Sequence, residues 1–217
     1  MTKPILITRS SYDDATSYLF YYAGIVMKEA EGKGIKVIDL KRPNLTLGRF
    51  TSAIKEKQPQ FIFFNAHGDE DAIYGDKIGE KEEVLIKENI NHQLLDSKLV
   101  YARSCWAAAS LGKACKGGCF IGYSLPFNFW IDERWSSKPQ NDNTARWCLE
   151  PSNLIVSSLF KSNTAEEAVT KSINMSKKNM LKLLKIQNEP GVVDIIAVLW
   201  NNMQCLEIIG DKEMKFE

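Results

Sequence analysis

One histidine and one cysteine each follow an apolar segment with the composition of a buried β-strand. His67 comes after Phe61–Asn65 (FIFFN), and Cys105 comes after residues 99–102 (LVYA). Runs of this kind are typical of parallel strands buried on both faces of a sheet. Because functional side chains of parallel sheets lie at the carboxyl ends of the strands, neighbouring strands here would bring the imidazole and the thiol face to face.

A paired imidazole and thiol predict nucleophilic catalysis. The thiolate is the reactive form of cysteine, and a neighbouring histidine can take the thiol proton. We expect a helix to begin at Trp106 and to favour the thiolate of Cys105 through the positive end of its dipole. Gly68 has no side chain, so its N–H group and that of Cys105 could form an oxyanion hole. A free cysteine alone is more often a core residue; the two strand ends together indicate a site.

Strands and helices alternate along the chain, which is typical of an α/β domain with a mostly parallel sheet. The predicted strands cover residues 5–8, 35–40, 61–65, 99–102 and 119–123, followed by a hairpin of 194–200 and 203–209. Helices are predicted over residues 12–31, 47–57, 88–97, 106–113, 154–160 and 165–186, with an exposed hairpin or loop at 72–86. The aromatic, proline-containing segment 124–144 is predicted to be irregular and mobile without substrate.

A strand that ends in His-Gly, followed by a strand that ends in cysteine, resembles the caspase-like clan of cysteine peptidases. That clan includes caspases, metacaspases, gingipains, separase and the CHAT domains of prokaryotes. The resemblance covers roughly residues 5–123 in element order, and the C-terminal hairpin resembles the last strands of the fold. The charged stretch after His67 is most similar to the hairpin insertion of CHAT-type members.

The resemblance implies a three-layer sandwich of about six mostly parallel strands, with helices on both faces. It implies a cysteine endopeptidase in which His67 is the general base, Cys105 the nucleophile and Gly68 an oxyanion donor. This chemistry needs no metal or organic cofactor. We expect one peptidase domain over residues 1–217, with its core at about 5–124 and 194–210 and a loop and helical segment at about 125–190.

The resemblance also implies a specificity pocket, because the residue two positions before the cysteine lines it in that clan. Here that residue is Arg103, in Arg103-Ser104 where caspases carry Gln-Ala. A buried guanidinium needs an anionic partner, and Asp13, Asp14 and Asp132 are the candidate pocket carboxylates. If Arg103 is unpaired, we expect cleavage after Asp or Glu; if Asp13 or Asp14 neutralises it, the pocket is mixed and takes polar or basic residues. A structural ion pair outside the pocket is the third alternative.

Charge and composition exclude several other classes of protein. The chain has 28 Lys and Arg against 27 Asp and Glu, a net charge of +1. This balance gives no excess of positive charge that would indicate binding to nucleic acid or to an anionic membrane. Its apolar runs are shorter than the roughly 20 residues of a membrane span. Five cysteines without a secretory signal favour reduced thiols in a cytoplasmic protein, and their spacing disfavours zinc.

Two alternatives to an endopeptidase remain open at this stage. The first is a non-catalytic caspase-like module that serves binding or regulation, because a fold does not fix a function. The second is an acyl transferase that uses Cys105 on small thioesters or amides. The expected partners are a protein or peptide substrate and a regulatory protein, with neither nucleic acid nor membrane among them.

Overall fold

Eight strands and six α-helices form the regular structure of residues 3–217, the part of the chain that this computed structural model describes. The strands are β1 (Ile5–Arg9), β2 (Val37–Lys41), β3 (Phe61–Asn65), β4 (Ala72–Ile78), β5 (Lys81–Lys87), β6 (Leu99–Arg103), β7 (Cys119–Tyr123) and β8 (Leu206–Gly210). The helices are α1 (Asp14–Gly32), α2 (Leu47–Lys57), α3 (Leu111–Ala114), α4 (Asn143–Leu159), α5 (Ala165–Leu183) and α6 (Val192–Cys205). Met1 and Thr2, the first residues of the predicted domain, lie outside the described residues.

Six strands form one sheet in the order β2-β1-β3-β6-β7-β8. The first five strands are parallel, and β8 is antiparallel to β7. The predicted α/β fold with a six-stranded, mostly parallel sheet is therefore confirmed. Strands β3 and β6 are neighbours, with Phe61 opposite Leu99 and Asn65 opposite Arg103. The chain thus leaves both strands at the same edge, two residues before His67 and Cys105.

The sheet is buried on both faces because its central strands β3 and β6 are almost entirely apolar on both sides; their polar residues Asn65 and Arg103 come only at the carboxyl ends. Phe61 and Phe63 pack on the face covered by α1 and α4, whereas Ile62 and Phe64 pack on the opposite face with α2 residues such as Phe50. Burial of a large apolar side chain contributes about 1.5–3 kcal/mol relative to exposure. This two-sided core fixes the strands that carry the site.

The predicted C-terminal hairpin is wrong. Residues 192–205 form α6, and only β8 reaches the sheet. The β-branched composition of residues 192–198 favours a strand, but the buried side chains follow the helical spacing of Val192, Ile195, Leu199 and Asn202. Packing of this face against α5 and α4 overrides the local β-propensity.

Two predicted helices near the site are also largely absent. Only three residues within 106–113 are helical, as the start of α3, because Trp106 has φ +52° and turns occupy the residues before Leu111. A residue with left-handed backbone angles cannot lie within a right-handed α-helix, so no helix starts at Trp106. Within 88–97 there is only a 3₁₀ turn at His92–Leu95. The segment 72–86, predicted to be an exposed hairpin or loop, is the hairpin β4–β5, which forms its own two-stranded sheet. Its turn is exposed, but residues such as Ile73 and Asp76 are buried.

Candidate active site

His67 and Cys105 line one cavity of about 370 Å³ at the carboxyl ends of β3 and β6. The start of α1 forms one wall, and the segment after β7 forms the other. The remaining lining residues are Asp14, Ala15, Leu19, Ala66, Arg103, Ser104, Phe127, Asn128, Phe129 and Ile131. A largely apolar cavity with a few convergent polar groups is the usual form of a small binding or catalytic site.

His67 is held in place by contacts on both sides. Its Nε2 lies 2.7 Å from Oδ2 of Asp13, and its main-chain carbonyl accepts a hydrogen bond from Tyr74 in β4 at 3.1 Å. Asp13 is also the N-cap of α1, where it forms a capping box with Thr16. Burial acts to raise the pKa of Asp13, but hydrogen bonds from Thr16 and His67 outweigh it and lower that pKa. An ionised carboxylate therefore orients the imidazole.

The thiol of Cys105 is half-buried and points to a main-chain acceptor. Its Sγ donates to the carbonyl oxygen of Phe127 at 3.7 Å, and burial raises the pKa of this thiol. The predicted helix dipole does not act on it, because no helix begins at Trp106. Cys105 is therefore protonated in the free protein, and its reaction as a nucleophile requires a base.

Gly68 packs so closely on the cysteine segment that no side chain fits there. A Cβ at this position would lie 2.1 Å from Oγ of Ser104 and about 3 Å from the carbonyl oxygens of Ala72 and Cys105. The main chains of Gly68 and Cys105 are therefore neighbours, as an oxyanion hole formed by their N–H groups requires. The Ser104 hydroxyl is buried and has no hydrogen-bond partner.

Arg103 is fully buried at the base of the cavity, with all of its donors in use. Nε and Nη2 donate to Oδ1 of Asn65, Nη1 donates to Ser152 and Asn153, and Nη2 also donates to the carbonyl of Leu19. These contacts match the five N–H groups of a guanidinium, and none of the acceptors is a carboxylate. Burial lowers the pKa of Arg103 to about 10, so the group stays cationic at neutral pH.

The three candidate pocket carboxylates are in different places. Asp13 is bound to His67, Asp14 is exposed and lines the cavity, and Asp132 lies outside its lining. Asp132 instead pairs with Arg134 at 2.6 Å on the surface. Neither Asp13 nor Asp14 neutralises Arg103, whose acceptors are all uncharged.

The wall formed by the segment after β7 is held by the end of α6. The backbone N–H of Asn128 donates to Oδ1 of Asn202 at 3.1 Å, and Nδ2 of Asn202 donates back to the carbonyl of Asn128 at 2.6 Å. Asn201 donates to the carbonyl of Pro126, and the Phe127 ring is buried. The aromatic composition of this segment is visible in the sequence, but no sequence pattern identifies Asn202 as the residue that holds it by hydrogen bonds.

Among the described residues, no three His, Cys, Asp or Glu side chains come close enough together to hold a metal ion. Within that same range, no helix combines the length and apolar character needed to cross a bilayer.

Comparison with known proteins identifies solved structures with a similar fold. No protein-family model matches the chain, and a search of curated proteins gives no match. The crystal structure of the Arg-specific cysteine proteinase gingipain R matches with a TM-score of 0.60 and 11% identity, over 99% of this chain and 48% of that chain. The complex of the Porphyromonas gingivalis RgpB pro- and mature domains matches with a TM-score of 0.58 and 11% identity, over the same shares.

The chain spans about half the length of these two neighbours. At 11% identity the likeness shows the fold alone. The protein therefore has a mixed α/β fold similar to the caspase-like fold of gingipain R.

Proposed function

We propose that this protein is a cysteine endopeptidase in which Cys105 is the nucleophile and His67 the general base. The observation that carries the proposal is their placement two residues beyond the paired positions Asn65 and Arg103, on one cavity. Both fold neighbours are cysteine proteinases, which supports the reaction class. The hairpin β4–β5 after His67 supports a CHAT-type member, and the five free cysteines support a reducing, cytoplasmic setting.

The geometry supports a two-step acyl transfer. If Nε2 of His67 donates its hydrogen to Asp13, Nδ1 is free to accept the thiol proton. The sulfur then attacks the substrate carbonyl, and the N–H groups of Gly68 and Cys105 bind the oxyanion. Collapse releases the amine, which takes the proton from His67, and water hydrolyses the thioester. Attack also requires the thiol to leave the Phe127 carbonyl.

Selective labelling of Cys105 tests this proposal against a non-catalytic binding module. A peptidyl acyloxymethyl ketone is expected to modify Cys105 and to spare Cys115, Cys119, Cys148 and Cys205, because Cys105 alone of the five cysteines lines the cavity with His67. Mass spectrometry of the digested protein gives the site. Equal labelling of half-buried Cys115 and Cys105, or no labelling of either, would instead support the binding module. Hydrolysis of thioesters without cleavage of any peptide would favour the acyl transferase.

Substitution of Asp13 by asparagine is expected to lower kcat by at least about tenfold while leaving α1 intact. Asparagine caps a helix as well as aspartate does, but it removes the negative charge that stabilises the imidazolium and fixes its tautomer. Peptide cleavage and thermal unfolding should be measured on the same sample. Unchanged kcat in a folded Asp13→Asn protein would exclude the carboxylate from the reaction.

We further propose that cleavage follows an acidic residue. Arg103 supports this preference, because its cationic group lies at the cavity wall and none of its acceptors carries a compensating negative charge. In a site of low dielectric, such a charge attracts a substrate carboxylate strongly. The exposed Asp14 and the Arg specificity of gingipain R favour the alternative, a basic residue.

This preference can be tested with two peptides that differ only in having Asp or Asn before the cleaved bond. The two side chains have nearly the same shape, so a difference in cleavage rate reports the effect of the substrate charge. We expect the Asp peptide to be cleaved about tenfold faster, which corresponds to about 1.4 kcal/mol, and Asp14→Asn to increase that rate by removing a like charge. If the pocket is basic, peptides with Arg or Lys are cleaved instead, and Asp14→Asn slows them. Equal rates for the Asp and Asn peptides would exclude a role for the Arg103 charge in selection.

A further inference from the structure

The hairpin β4–β5 carries two acidic side chains, Asp76 and Glu83, with three buried oxygens that have no hydrogen-bond donor. Asp76 is 3% exposed, and neither of its carboxylate oxygens has a hydrogen-bond partner; the same holds for Oε2 of Glu83. Nearly all buried polar atoms in native proteins have a partner, and a buried carboxylate without one costs several kcal/mol. A backbone contact with Leu45 and the charge of Arg42 act on Asp76, but burial outweighs them and raises the pKa of this carboxyl. A further neutralising group is therefore expected at this place.

A β-bulge places these two residues opposite each other. Tyr74 pairs with Val84 and Lys77 with Glu82, so Gly75 and Asp76 lie opposite the single residue Glu83. A bulge of this kind turns a side chain out of the regular alternation. Like charges in cross-strand positions destabilise a sheet, so the pair persists only with a compensating interaction.

The bulge is packed tightly against the segment between β2 and α2. A Cβ at Gly75 would lie 2.7 Å from the carbonyl oxygen of Leu45, and the N–H of Asp76 donates to that oxygen at 3.2 Å. Glu83 accepts from the N–H of Leu47 through Oε1 at 2.8 Å. One oxygen of Glu83 is thus fixed by the start of α2, and its other oxygen is the buried one. The hairpin and the segment before α2 thus both supply oxygen atoms to this region.

We propose that Asp76 and Glu83 bind a divalent, oxygen-preferring cation of the calcium type, with the main-chain carbonyl of Leu45 and water as further ligands. Only two acidic side chains take part, but calcium accepts main-chain carbonyls and water in irregular sets of about 6–8 oxygens. Magnesium is less suited, because it demands near-octahedral geometry and keeps most of its water. The cation would join the hairpin to the start of α2.

The position of the site gives the cation a structural role. Strand β4 begins five residues after His67, and its Tyr74 donates to the His67 carbonyl at 3.1 Å. Fixing the bulge at Asp76 would therefore stabilise the strand that holds His67. The cation site itself is independent of the proposed peptidase activity, and its test uses stability and binding alone.

Thermal unfolding and calorimetric titration of the full chain with calcium chloride test the proposal. At about 1 mM calcium and constant ionic strength, we expect one ion bound per chain and a rise in Tm of about 5 °C over the protein in chelator. Asp76→Asn should abolish both responses, and Glu83→Gln should weaken them. Glu80→Gln, which removes an exposed carboxylate from the same hairpin, should leave them unchanged.

Two results would overturn the cation site. The first is the absence of binding and of any Tm change with calcium and with magnesium. The second is an equal Tm rise in wild type and Asp76→Asn, which would mean that calcium acts elsewhere. If Asp76 and Glu83 share a proton instead of binding a cation, neither calcium nor magnesium binds. The protein in chelator would then be more stable at pH 5 than at pH 7, and Asp76→Asn would remove this gain in stability. The charged groups that act on Asp76, and therefore on its protonation, are Glu83 and Arg42.

Discussion

Replacement of Cys105 by alanine is expected to lower kcat/KM for peptide cleavage by about 10⁴-fold or more, and His67→Ala should have an effect of similar size. Without the sulfur no thioester forms. Without the imidazole the thiol stays protonated, because burial raises the pKa of Cys105 and no helix dipole opposes it. The double variant should be no less active than either single variant, since the two groups act as one unit.

Matched controls separate this catalytic effect from the loss of any cysteine or histidine. Cys115 is also half-buried and its thiol also donates to a main-chain carbonyl, that of Leu111, but it lies outside the cavity lining. Cys115→Ala and His92→Ala are expected to cleave at the wild-type rate. Cleavage by a folded Cys105→Ala protein would rule out the proposed nucleophile.

Replacement of Arg103 by methionine is expected to lower the free energy of unfolding by about 3–5 kcal/mol. Methionine fills a similar volume but donates nothing, so Asn65, Ser152, Asn153 and the Leu19 carbonyl lose a donor in the core. Each buried acceptor left unpaired costs about 1–3 kcal/mol, with partial relaxation of the hydroxyl and amides. Urea unfolding gives the difference.

Arg146→Met is the matched control for this prediction. Arg146 is exposed and pairs with Glu150 one helical turn away at 2.9 Å, a contact that contributes only about 0.3–0.5 kcal/mol. A loss below about 1 kcal/mol in Arg103→Met would mean that the buried guanidinium is not a structural centre. The charge of Arg103 would then serve substrate selection and not stability. The relative cleavage rates of the Asp and Asn peptides measure that role separately.

The sequence by itself determined the strands that carry the site. Apolar runs such as Phe61–Asn65 have no polar face, so they are stable only inside a sheet covered on both sides. The alternation of such runs with helical segments predicts parallel strands, whose carboxyl ends meet at one edge. These local patterns were sufficient to place His67 and Cys105 at that edge.

The tertiary structure decided which partners those residues have. Asp13 meets His67 across 54 positions, and Arg103 reaches Ser152 and Asn153 across 49 and 50 positions. Such contacts depend on how α1 and α4 dock on the sheet, which no local pattern encodes.

Packing also reversed two local preferences. Residues 192–205 have the β-branched composition of strands, yet they form α6 because one helical face is buried against α4 and α5. Trp106 adopts a left-handed conformation that composition does not predict, and the expected helix dipole at Cys105 is lost with it. The sequence therefore determined where His67 and Cys105 lie. Long-range packing decided the ionisation of the Cys105 thiol and the hydrogen-bond partners of both residues, because burial and contacts depend on residues distant along the chain.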